Sequence, residues 1–181
     1  LVPGDYAAIR RETAGIVRSS ARVSGSLRLK AGYLSKVAPV VGVEPAWFAM
    51  KSWDLREGSL YTDEDEKRSA RVAVIGATVA RDLYGTESPV GERLFINRVP
   101  FEVAGVLRER GAGLDGSTED GQVYVPLNTA MRRLLNVDHY AAILLELEGP
   151  PRMPVATRDI TALLRERHRM SGYRPDDFRV Q

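Results

Sequence analysis

Gly111, Gly113 and Gly116 satisfy the G-x-G-x-x-G spacing that lets a backbone approach a pyrophosphate. That chemistry also needs a helix N-terminus behind the last glycine. Ser117-Thr118-Glu119-Asp120 follows instead, with no apolar stripe from which to build one. The segment VAVIGATVARDLYG has the complementary defect. It reads as a buried strand, a glycine and a helix, but Gly76 is followed by Ala77, Thr78, Val79, Ala80 and Arg81, so the other glycines are missing. Neither segment is expected to hold a nucleotide.

Two acidic clusters could in principle hold a cation: Asp63-Glu64-Asp65-Glu66, and Asp115 with Glu119 and Asp120. A calcium loop requires oxygen ligands at alternate positions, a central glycine and a distal glutamate, and neither cluster has that spacing. His139 and His168 lack a second histidine at i+3 or i+4, so each reads as a surface or boundary residue. With no cysteine in the chain, thiolate catalysis, thiolate metal sites and disulfides are excluded. Walker A, G-x-S-x-G and H-E-x-x-H patterns do not occur. The expectation is a domain with no catalytic residue, cofactor or metal, and not an enzyme.

Composition bounds the partners. The 26 basic and 24 acidic residues leave a net charge of +2, too even a balance for a surface committed to nucleic acid. At 44% hydrophobic and 28% charged residues, the 181-residue chain should fold around a sizeable core. No apolar run approaches the length of a spanning helix. The opening within a helix-start pattern suggests a segment of a longer chain.

The elements that must position any site follow from periodicity. Pro3 and Asp5 open a helix over 3–13, with Arg10 and Arg11 complementing its dipole. A long half-buried strand follows, with Val17, Ala21, Val23, Leu27 and Leu29 on one face. Arg18, Ser20, Arg22, Ser24, Ser26, Arg28 and Lys30 form its wet face, whose cations read as solvated, or as a surface for acidic lipid or a partner. A turn at Ala31-Gly32 leads into 33–43, where Pro39 requires an edge or a bulge. Glu44-Pro45 starts a short helix carrying Trp47, Phe48 and Met50, and the irregular acidic stretch 61–66 should be a surface turn or one helical turn.

RVAVIG (71–76) has the length of a buried strand, and the helix after it stops at Gly85. Asn97-Arg98 should turn a hairpin between 94–96 and 99–107. The polar segment Gly111–Gly121, with four glycines, reads as an exposed mobile loop. After a short strand over 123–125, Leu127, Met131, Leu134 and Leu135 give a helical stripe. A strand over 141–148, an amphipathic helix through Ala156, Ile160, Leu163 and Leu164, and a last strand holding Phe178 and Val180 complete an α+β reading.

The order of segments carries more than any one of them. VVGVEPAWFAM, then LREGSLYTDEDEKRSARVAVIGATVARDLYG, SPVGERLFINRVPFEVAGVLRE, a glycine-rich acidic loop, VYVPLNTAMRRL and ITALLRERHR before DDFRV together resemble the periplasmic core domain of MacB-type ABC-transporter permeases. This is the group that includes MacB, LolC, LolE and FtsX. The resemblance runs nearly end to end. It implies a porter-like α/β-sandwich lobe from residues 1–44 plus 138–181 and an inserted, strand-rich (sabre-like) lobe from 45–137, with a further strand ahead of the opening helix.

It also implies a non-catalytic domain on the periplasmic or extracellular face of the bacterial cytoplasmic membrane. The domain would be coupled through membrane helices to a cytoplasmic ATP-binding partner, dimeric in the full permease, and would meet a periplasmic adaptor or substrate protein. The candidate contact is the mobile loop, through Gly111, Gly113, Asp115, Ser117, Glu119 and Asp120. A free-standing soluble binding or scaffolding protein of the same fold is the alternative.

Overall fold

The computed structural model describes all residues except Asp115, Ser117 and Tyr173. Helix α1 (Pro3–Glu12) leads into the 16-residue strand β1 (Ile16–Ala31), which turns at Gly32-Tyr33 into β2 (Leu34–Val43). Then come α2 (Ala46–Met50), β3 (Leu55–Gly58), α3 (Asp63–Lys67), β4 (Val72–Ile75) and α4 (Ala77–Tyr84). The hairpin β5 (Arg93–Ile96) and β6 (Val99–Leu107) precedes β7 (Val123–Pro126) and α5 (Leu127–Thr129). A π-helical segment (Ala130–Leu135), β8 (Ala142–Leu147) and α6 (Met153–Arg167) complete the order.

Six strands close on themselves in the order β1, β2, β7, β4, β6, β5 and back to β1. Closure removes the open edges that a flat sheet of these strands would expose. β3 pairs with the far half of β6, and β8 lies beside the first half of β1. β1 therefore belongs to two structures. Ile16–Arg22 pairs with β8 under a helical layer, and Arg22–Ala31 pairs with β2 in the barrel wall.

Three cores explain the hydropathy patterns. One fills the barrel and extends under α4 and the π-helical segment. A second packs Phe48, Trp53 and Tyr61 against the outer face of β2, β4 and β7. Because β4 places Ala73 and Ile75 in the first core and Val74 in the second, both its faces are dry and its apolar run is continuous. The third core lies between α1, α6 and the β1–β8 ribbon.

Several expectations need correction. Val17 is exposed, because the register shifts between Ile16 and Arg18 and hands the inward position to Ile16. Ser20, expected on the wet face, is buried with its hydroxyl satisfied: it donates to the Ala21 carbonyl and accepts from the Glu44 N–H. The stripe at 127–135 winds as π-helix from Ala130 onward and still buries Leu127, Met131 and Leu134. Phe178 and Val180 form no strand; they pack on the third core without a ladder partner. Asn97 and Arg98 both take positive φ, as the hairpin turn requires.

Candidate functional site

The ends of the segment that joins β6 to β7 are more firmly held than a run of small polar residues suggests. Asp120 is not exposed. Its carboxylate accepts from the N–H of Arg110 at 2.9 Å and of Gly111 at 2.7 Å, closing the loop at its base. Glu119 lies 3.5 Å from Arg110 and 3.9 Å from Lys51. The Arg110 guanidinium sits 3.6 Å above the Trp53 ring and donates to the Lys51 carbonyl, a cation–π contact between residues that no sequence pattern pairs. The Gly113 carbonyl accepts from the Gly116 N–H, and Ala112 bridges to Thr118. Asp115 and Ser117 lie outside the described residues. Of the candidate residues, Gly111, Gly113 and Glu119 face solvent at least in part, and Asp120 is an internal tie.

The acidic cluster 63–66 divides in the same way. Thr62 caps α3 and accepts from Asp65, whose carboxylate returns a bond to the Thr62 N–H. Glu66 turns inward. Its two oxygens accept from the N–H groups of Leu127 at 2.7 Å and Asn128 at 2.8 Å, capping the helix that starts there. Burial pushes the Glu66 carboxyl up, and these two N–H groups pull it back only in part. Among the described residues, no group of three or more His, Asp and Glu side chains is placed to hold a metal ion.

A second polar centre joins the two ends of the chain. Asp5 is buried at the start of α1; its Oδ1 accepts from Arg167 at 2.8 Å, and its Oδ2 accepts from the Val2 N–H at 3.0 Å and lies 3.0 Å from His168 Nε2. His168 Nδ1 faces Asp177 at 2.7 Å. Burial disfavours the Asp5 charge, but Val2, Arg167 and His168 outweigh it and hold the carboxyl down at about 2. Hydrogen bonds to Asp177 and then Asp5 raise His168. Nearby, the Tyr6 hydroxyl donates to Glu44 at 2.6 Å, and Glu44 also accepts from the Ala21 N–H, so α1 is bonded to the root of the hairpin.

The clasp has a signed pH dependence. The Asp5 contribution is present above its ordinary value of 3.8 and lost as pH falls toward about 2. The His168 contribution is full below 6.5 and lost as pH rises through the higher folded value. Urea unfolding should therefore show this stabilisation complete between pH 3.8 and 6.5. His168→Gln is expected to cost about 1 kcal/mol in that window and to flatten the alkaline decline. An unchanged alkaline decline would assign it to other groups.

Beside this clasp, an apolar groove of about 840 Å³ runs along the unpaired edge of β8. Ile9, Ile143, Leu145, Met153, Ala156 and Ile160 contribute its walls. An unpaired ladder edge next to apolar side chains suits an extended segment.

Comparison with known proteins agrees with this architecture. The MacB-like periplasmic core domain family matches residues 1–163. The macrolide export ATP-binding/permease protein MacB of Bdellovibrio bacteriovorus is 36% identical over 168 residues, covering 92% of this chain and 25% of that protein. The pyoverdine export ATP-binding/permease protein PvdT of Pseudomonas aeruginosa is 31% identical over 145 residues, 80% of this chain and 22% of that protein. The chain thus spans about a quarter of the length of the curated relatives it matches. Among solved structures, the periplasmic region of MacB from Actinobacillus actinomycetemcomitans superposes with a TM-score of 0.81 at 24% identity, covering 93% of this chain and 74% of that one. The extracellular domain of the noncanonic ABC-type transporter YknZ from Gram-positive bacteria gives 0.82 at 21%, over 94% and 86%. With the family matched over most of its length and the fold shared with these domains, the chain belongs to the MacB-like periplasmic core domain family.

Proposed function

We propose that this chain is the non-catalytic periplasmic module of a MacB-type ABC-transporter permease, and that it binds a periplasmic adaptor or substrate and passes on movement driven by a cytoplasmic ATP-binding partner. The family's core domain lies on the periplasmic side of the membrane, and no helix among the described residues is long and apolar enough to cross one.

The observation that carries the reading is the double membership of β1. Its first half is held under α1 and α6, next to both chain ends, and its second half is barrel wall. A displacement of the ends, tied together through Asp5, Arg167 and His168, reaches the barrel along one hydrogen-bonded strand. On this reading the β1–β8 layer with α1 and α6 is the porter-like lobe (1–44 plus 138–181) and residues 45–137 are the inserted lobe, with the distal half of the hairpin shared between them. The groove along β8 takes the strand that the family places ahead of the opening helix. Gly111, Gly113 and Glu119 meet the partner, and the parent works as a dimer.

The test uses the full permease in vesicles with its ATPase and adaptor. Asp5→Asn should lower transport about tenfold while ATP hydrolysis continues, the signature of lost coupling. Replacing 112–118 by a short linker, with Asp120 kept, should weaken adaptor binding and leave hydrolysis intact. Transport at the parental rate in the Asp5→Asn permease would refute transmission through the clasp.

A further inference from the structure

The wet face of β1 sorts into used and unused cations. Arg18 is paired with Glu146 at 3.1 Å, and Arg22 is half-buried. Lys36 of β2 is neutralised by Asp82 of α4 at 2.6 Å. Arg28 and Lys30 are exposed, and neither is ion-paired among the described residues. Arg98 is a third such cation, exposed in the β5–β6 turn. It is brought alongside by the Asn97 N–H, which donates to the Arg28 carbonyl at 2.9 Å.

Apolar side chains lie among these cations. Val37 is the cross-strand partner of Arg28 and is 58% exposed, and Phe95 stands opposite Lys30 and is half-buried. At the turn, Leu34 is 53% exposed and Tyr33 fully so. A hairpin needs none of these large side chains at its tip; Gly32 with a small polar neighbour would turn the chain equally well. Apolar groups exposed together mark contact surfaces, and three unpaired cations around them set the sign of the partner.

We infer that the distal β1–β2 hairpin, through Arg28, Lys30, Tyr33, Leu34, Val37 and Arg98, is a docking surface for an acidic protein segment that carries aromatic or aliphatic side chains. Like-charge repulsion disfavours the same face of a second copy. A bilayer is disfavoured by distance: the extended stretch of β1 from Ala21 to Ala31, beyond the part covered by α1 and α6, places the turn roughly 30 Å from those helices, several Debye lengths away. That last step rests on the reading that both chain ends lead to the membrane; the exposed and unpaired side chains do not depend on it.

The probes are a soluble peptide of repeated Glu-Glu-Tyr and vesicles containing phosphatidylglycerol, each titrated against the chain. The parent should bind the peptide, more weakly as salt rises. The variant combining Arg28→Glu, Lys30→Glu and Arg98→Glu should bind at least about 30-fold more weakly. Tyr33→Ser with Leu34→Ser should lose about tenfold at unchanged charge. All these positions are exposed, and unchanged melting curves will verify that the variants fold. Equal peptide binding by parent and charge-reversed chain, or no binding by the parent, would overturn the inference. Tighter binding to the vesicles, abolished by the same charge reversal, would overturn it in favour of lipid. Because the coupling reading is measured in the assembled permease, its failure and the failure of this surface are read separately.

Discussion

Gly76→Ala should destabilise the chain by about 3 kcal/mol or more, seen as a large fall in the urea midpoint. A Cβ on Gly76 would stand 2.2 Å from the Asp120 carbonyl oxygen and 2.7 Å from its carbon, and the obstacle is backbone rather than a side chain that could swing away. Retreat is blocked on both sides. The Gly76 N–H donates to Gln122 at 2.9 Å and the Thr78 N–H to Asp120 at 3.0 Å, while Asp120 is fixed by its own bonds to Arg110 and Gly111. The same geometry settles what the glycine is for. In a dinucleotide site, the N-terminus of the following helix receives phosphate; here a carbonyl of the loop occupies that position at α4, and the absent side chain makes room for it. A Gly76→Ala chain with the parental midpoint would mean that this contact is not held in solution.

Glu66→Ala should cost about 3 kcal/mol, and Glu66→Gln roughly half of that. The alanine leaves the Leu127 and Asn128 N–H groups without acceptors in a place little reached by water. Glutamine keeps one acceptor but turns an NH₂ toward a donor. Since α5 runs directly into the π-helical segment that packs Ala130, Met131 and Leu134 onto the first core, loss of this cap loosens that core. Urea midpoints with unchanged slope are the measurement. A cost below about 0.5 kcal/mol for the alanine variant would show that water replaces the carboxylate.

These two residues mark where the sequence stops being readable. The strands, hairpins and most helices were legible because each rests on neighbours a few residues away: alternation in β1, the continuous run of β4 between two cores, Asn97-Arg98 with positive φ, Gly85 ending α4. Glu66 and Asp120 were read as members of solvated clusters because composition cannot say which carboxylate turns inward. Their donors are the backbone of Leu127 and Asn128 in one case and of Arg110 and Gly111 in the other. His168 read as a boundary residue for the same reason, since its partner Asp5 lies 163 positions away. Arg110 over Trp53 and Tyr6 on Glu44 were equally hidden. The barrel itself could not be inferred, because closure depends on β2 meeting β7 and β5 meeting β1, pairings that no local pattern announces.

The two-part pairing of β1 also fixes an order of events for a chain that emerges from its N-terminus. Lys30 finds Ser35 almost at once, and Leu29 finds Ile96 after the middle of the domain has appeared, but Ser19 and Ala21 must wait for Leu145 and Ile143. Until then the first half of the longest strand is a bare template on the side that β8 will cover. The last quarter of the chain therefore acts as a seal, and a nascent domain delayed before β8 has emerged would be most open to misassembly at the segment made first.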